Sequence, residues 1–131
     1  DIKQSIILAG DGGDGNAQAL STLALQAATL PEKTTVYMLG DNIYPNGLPG
    51  EGNKDRKQAE ERLMRQIVAL KPTKAKVIFV PGNHDWDFSG PDGLNRIRRQ
   101  SAYIDRMLGV GSFLPGNGCP GPAVGFFNLV F

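Results

Sequence analysis

Three short apolar runs, each closed by glycine or proline, alternate along the chain with longer segments whose apolar residues recur every three or four positions. The first run is Ile6-Ile7-Leu8-Ala9, ended by Gly10. The second is Thr-Val-Tyr-Met-Leu at 35–39, ended by Gly40. The third, Lys76–Val80, is stopped by Pro81-Gly82. Runs of this length and apolarity predict buried strands. Between them, residues 16–29 place Ala17, Leu20, Ala24 and Ala27 on one helical face, with Asp14 or Asn16 to cap the start and Pro31 to stop it. Residues 55–70 carry a stripe of Ala59, Leu63, Ile67 and Leu70, closed by Pro72. Residues 94–108 form a third helical segment with Gly109 at its C-terminal end. Residues 45–53 and 111–122 read as loop, and 123–131 are apolar enough for a fourth strand. The order β-α-β-α-β-α-β predicts an α/β fold, a predominantly parallel sheet with helices on both faces. There is no internal repeat and no linker, so 1–131 reads as part of one domain.

Composition narrows the picture. Apolar residues make up 40% and charged residues 21%, ordinary for a water-exposed globular domain. A formal charge of +1 draws the chain to neither nucleic acid nor a membrane surface. No apolar stretch reaches the roughly 18 residues of a membrane span. Seventeen glycines and nine prolines without a repeat indicate many tight loops. The one cysteine, Cys119, has no internal disulfide partner and reads as a buried or loop thiol. The chain opens at Asp1 without Met and closes on the apolar Leu129-Val130-Phe131, which leads to the expectation that it is a trimmed or processed piece of a longer protein.

In a parallel α/β sheet, ligands bind beyond the carboxyl ends of the strands. There the first strand delivers Gly10-Asp11-Gly12-Gly13, the second Gly40-Asp41-Asn42-Ile43-Tyr44, the third Gly82-Asn83-His84-Asp85. The fold therefore brings Asp11, Asp41, Tyr44, Asn83 and His84 to one edge. These are oxygen and nitrogen donors suited to hard and borderline cations. A rival reading starts from Gly10-Asp11-Gly12-Gly13-Asp14-Gly15, which fits G-x-G-x-x-G and points to a dinucleotide-binding module. Against it, Asp11 and Asp14 put negative charge where a pyrophosphate would lie, and Tyr44, Asn83 and His84 are left without a task. A calcium loop from Asp11, Asp14 and Asn16 lacks EF-hand spacing and its terminal Glu.

The ordered set GDxG, GDxxY and GNHD, each after a strand, resembles the first three signatures of calcineurin-like metallophosphoesterases. Many members carry DxH in the first motif; here Gly13 stands in the place of that histidine, while Tyr44 stands where purple acid phosphatases use a tyrosinate. One ligand is lost and one gained, which points to the purple-acid-phosphatase-like branch. The resemblance implies half of a four-layer β-sandwich flanked by helices, and hydrolysis of a small-molecule phosphoester by a hydroxide shared between two metal ions, iron with zinc, manganese or a second iron. It implies Asp11 and Tyr44 on the first metal, Asp41 bridging, Asn83 on the second, His84 on the phosphate and Asp85 orienting His84. The family supplies further ligands from a lone His and a GHxH motif, whereas this chain has one histidine. The 131 residues are therefore expected to be the amino-terminal part of the domain, with the carboxy-terminal part absent and little or no turnover of their own.

Gly47-Leu48-Pro49, Trp86 and the Phe113–Pro122 stretch resemble a bacterial metallophosphoesterase group with exported members, which makes a periplasmic or cell-surface setting an expectation. Trp86 and Phe88 read as loop anchors. Arg96, Arg98 and Arg99 read as a solvated helix face, and Lys71, Lys74 and Lys76 as solubilising charges. A third reading is a non-catalytic piece that associates as a homo-oligomer through an apolar edge.

Overall fold

The computed structural model describes residues 1–116. The fourth strand expected at 123–131, and Cys119, lie outside them. Strands β1 (Ser5–Ala9), β2 (Thr34–Leu39) and β3 (Lys76–Val80) form a parallel sheet in the order β1-β2-β3. Ile7 pairs with Val36 and Val36 with Val77; Ala9 pairs with Met38 and Met38 with Phe79. Phe113 adds an isolated parallel bridge to Phe79, through Phe79 N–H to Ser112 O and Leu114 N–H to Phe79 O, both 2.8 Å.

Helix α1 (Ala17–Thr29) starts where the sequence places a cap: the Asn16 Oδ1 accepts the Ala19 N–H at 3.0 Å. Helix α2 (Arg56–Leu70) follows the long loop after β2, and α3 (Gly93–Leu108) ends at Gly109, whose φ of 108° suits glycine. The strand alternation decides which side chains enter the core. Val36, Met38, Val77 and Phe79 project from one sheet face and cluster with Ala27 of α1, Leu63, Ile67 and Leu70 of α2, and Ile97 and Ile104 of α3. The loop after β2 joins this cluster through Ile43 and Leu48, both fully buried. That loop is thus packed like an element of the core, which fixes the residues flanking it.

The opposite sheet face differs. Leu8 is 63% exposed and Leu39 49%, with Ile6 beside them on the same face. Among the described residues no helix is long and apolar enough to cross a membrane.

The two faces should respond differently to substitution. Leu63→Ala, in the core, should cost about 3 kcal/mol of stability, whereas Leu8→Gln should stay within about 0.5 kcal/mol of the parent. Urea unfolding of the two variants measures this; equal losses would contradict the burial assignment.

Candidate metal centre

Glycines let the three strand ends approach closely. Gly40 has φ 98°, a region that a Cβ disfavours, and a side chain there would lie 2.7 Å from the Gly82 Cα. A Cβ on Gly82 would run into the Asp41 carboxylate and its backbone nitrogen. The second and third strand ends therefore abut backbone to backbone. The first is joined to the second by Asp11 N–H to Gly40 O at 3.1 Å and Gly13 N–H to Asp41 O at 2.9 Å. Asp11 and Asp41 themselves take left-handed conformations, φ 56° and 52°. Non-glycine residues in that region carry about 1–3 kcal/mol of strain, and such strain gathers at functional sites.

The carboxylates of Asp11 and Asp41 converge on one atom. The Tyr44 hydroxyl lies 2.7 Å from Asp11 Oδ1 and 3.3 Å from Asp41 Oδ2. The hydrogen bond to Asp11, then burial, then the charge of Asp41 push this hydroxyl well above its ordinary pKa. That one hydroxyl serves both carboxyl groups. The other Asp41 oxygen, Oδ1, accepts the His84 N–H at 3.1 Å. Among the described residues neither Asp11 nor Asp41 has an ion-pair partner. Asn83 lies between Gly82 and His84 on the same turn, exposed, with its carbonyl accepting the Phe88 N–H at 2.9 Å. Hydrogen bonds thus join Asp11, Asp41, Tyr44 and the His84 backbone at the strand ends, with Asn83 on the adjoining turn.

Asp85 is placed differently. It is fully buried and turned inward. Its Oδ2 accepts the N–H groups of Gly82 (2.8 Å) and Asn42 (3.0 Å) and the Asn42 amide (3.3 Å); its Oδ1 accepts from Ile43 N–H (3.0 Å) and the Gln100 amide (2.9 Å). Burial pushes its carboxyl above the ordinary value, opposed by the bonds from Gly82, Gln100, Asn42 and Ile43. The expectation that Asp85 orients His84 is corrected: the partner of His84 Nδ1 is the Pro45 carbonyl, at 2.7 Å. The aspartate is spent on holding two loops together.

Two residue types missed by sequence reasoning also serve the site. Gln66 of α2 donates to the Asn42 carbonyl at 2.8 Å, and Arg62 to the Gly13 carbonyl at 2.7 Å. Arg96 and Arg99, read as a solvated face, instead bond the loop after β2, at Asn46 O (2.7 Å) and Leu48 O (3.4 Å); only Arg98 of the three is exposed. The dinucleotide reading loses support here, because the Asp11 and Gly13 N–H groups needed to cradle a phosphate are engaged with protein carbonyls.

A profile described as calcineurin-like phosphoesterase matches residues 4–128. The chain belongs to the calcineurin-like phosphoesterase family. Comparison with curated proteins and with solved structures returned no match. The parallel sheet and its helices are consistent with part of the metallophosphoesterase fold, and the family generally uses two divalent metal ions. The donor set fits such ions in kind, with two unpaired carboxylates and a phenol oxygen in mutual contact. It is sparse in number: among the described residues no three His, Cys, Asp or Glu side chains gather closely enough to hold a metal.

Asp85→Asn, isosteric but carrying an amide toward backbone N–H groups, should cost about 3 kcal/mol, because buried donors lose their acceptor. A urea midpoint unchanged from wild type would contradict the bonding pattern. Asp92 behaves oppositely with pH. Its bond from Arg99 holds its carboxyl below the ordinary value. The stability it adds is therefore present above the unfolded-state pKa and lost as pH falls through the lower folded value. The gap in urea midpoint between wild type and Asp92→Asn should close as the pH is taken down through that range.

Proposed function

We propose that this domain belongs to a phosphoester hydrolase working with a pair of metal ions at the carboxyl edge of the sheet. The observation that carries the reading is the Tyr44 hydroxyl shared by Asp11 and Asp41, two carboxylates without a cation among the described residues. Oxygen donors gathered on one hydroxyl, with no cationic side chain beside them, are the kind a hard metal ion takes. In this reading Asp11 and Tyr44 hold one ion, Asp41 is shared, and Asn83 serves the second. When bound, the ions supply charge neutralisation on the phosphoryl group and an activated nucleophile. His84, whose ring packs 4.3 Å from that of Tyr44, contacts the phosphate and assists the leaving group.

Tyr44 in place of a first-motif histidine supports the purple-acid-phosphatase-like branch, with iron as one of the two metals in this reading. With one histidine in the chain, the remaining imidazole ligands come, in this reading, from residues outside these 131. The 131-residue chain alone is then expected to turn over little. The substrate is a small-molecule phosphoester.

The test is hydrolysis of p-nitrophenyl phosphate by the whole protein that carries this domain. Chelation should reduce the rate to background and added zinc, manganese or iron should restore it. Asp41→Asn should lower it by at least about 100-fold. A rate indifferent to chelation, or an Asp41→Asn variant of wild-type activity, would remove the assignment. For the branch, the iron-loaded protein should be coloured and Tyr44→Phe colourless.

A further inference from the structure

The loop that follows Tyr44 is tied down by a series of side chains from elsewhere in the chain. The Pro45 carbonyl faces His84 Nδ1 at 2.7 Å. The Asn46 carbonyl accepts from Arg96 Nη1 at 2.7 Å, and the Leu48 carbonyl from Arg99 Nη1 at 3.4 Å. The Pro49 carbonyl accepts from Arg56 Nη1 at 2.7 Å. Four of five consecutive peptide carbonyls, 45, 46, 48 and 49, thus have a side-chain partner. Inside the loop, Gly47 donates its N–H to the Ile43 carbonyl at 2.9 Å.

The arginines are themselves braced. Arg96 Nε lies 3.5 Å from both Asp87 and Asp92, and Arg99 Nη1 lies 2.8 Å from Asp92. Asp87 reaches Arg96 from a strained turn. Asp87, Phe88 and Ser89 have φ of 52°, 51° and 64°, three successive non-glycine residues in the left-handed region. The same turn brings the Phe88 ring edge-on to the His84 ring, with centroids 4.5 Å apart. His84 is therefore gripped between Tyr44 and Phe88 and fixed at one ring nitrogen by Pro45.

A peptide carbonyl only accepts hydrogen bonds. The nitrogen facing Pro45 must therefore carry the proton, and in the neutral ring Nε2 is then bare. An unconstrained imidazole has no such constraint on which nitrogen is protonated. We propose that the arginine-latched loop exists to lock His84 in its Nδ1–H tautomer, with Arg96 as the positioning residue that holds the Pro45 carbonyl in place. The functional meaning of the lock, an Nε2 kept free for the reacting phosphoester, rests on the function proposed above; the lock itself does not.

His84 is the sole histidine, so long-range ¹H–¹⁵N correlation spectra of the 131-residue chain report one imidazole without ambiguity. The wild type should show the Nδ1–H pattern, with no Nε2–H tautomer beside it. Arg96→Ala should lose it for a mixture of tautomers, Arg96→Lys should recover most of it, and Arg98→Ala on the exposed face of the same helix should leave it unchanged. Asp92→Asn, which removes the ion-pair partner of Arg99 and one of the two partners of Arg96 without emptying the space they fill, should shift the ratio in the same direction as Arg96→Ala, by less. A wild-type spectrum showing the Nε2–H tautomer would overturn the proposal at once. A native-like Asp92→Asn and Arg96→Ala pair that both keep the Nδ1–H pattern would do so as well. Because the readout needs neither metal nor substrate, its failure is distinct from failure of the hydrolase assignment.

Discussion

The site depends on one buried anion. A carboxylate with no solvent contact is costly unless its lone pairs are used, and Asp85 uses its own on the N–H groups of Gly82, Asn42 and Ile43 and on two side-chain amides. The backbone donors come from the turns after two different strands, and the Gln100 amide from α3. One side chain thereby sets the distance between the second and third strand ends. Gly40 and Gly82 permit the contact, since a Cβ on either would strike the other turn. Everything at the edge is positioned through that junction.

The consequence is electrostatic. Holding the turns together forces the Asp41 carboxylate beside the Asp11 carboxylate, with a phenol hydroxyl shared between them. Repulsion between such groups would part them if the chain were free to move. Here the backbone bonds Asp11 N–H to Gly40 O and Gly13 N–H to Asp41 O oppose that separation. The fold thus stores an anionic, oxygen-rich locus in advance of any cation, the preorganisation that a hard metal ion requires. The same pair of constraints, a closed backbone junction and strained Asp11 and Asp41, marks this edge as a candidate site.

Much of this was legible in the sequence. The strands announced themselves as apolar runs ended by glycine, and a parallel sheet carries the polar residues after those glycines to one edge. Asn16, one of two candidate caps of α1 beside Asp14, and Gly109 as the end of α3 followed from local chemistry alone. Asp85 was misread for a physical reason: next to His84 in sequence, it looks like a ring partner, yet the turn sends it the other way, into the core. Arg96 and Arg99 were read as solvated because helical arginines usually are. Their partners are backbone carbonyls 50 and 51 residues earlier, and a carbonyl leaves no mark on residue identity. The exposure of Leu8 and Leu39, on the same sheet face as the buried Ile78, was equally hidden, since continuous apolarity predicts burial of every residue in a run.

The central claim is that the first three strand ends converge on a common cation locus. Anomalous diffraction from crystals of the chain soaked in a manganese(II) salt tests it most directly. The account predicts a peak within coordination distance of carboxylate oxygens of both Asp11 and Asp41, with the Tyr44 hydroxyl no longer bridging them. Manganese bound only elsewhere, with the Tyr44 hydroxyl still seated between the two carboxylates, would contradict it.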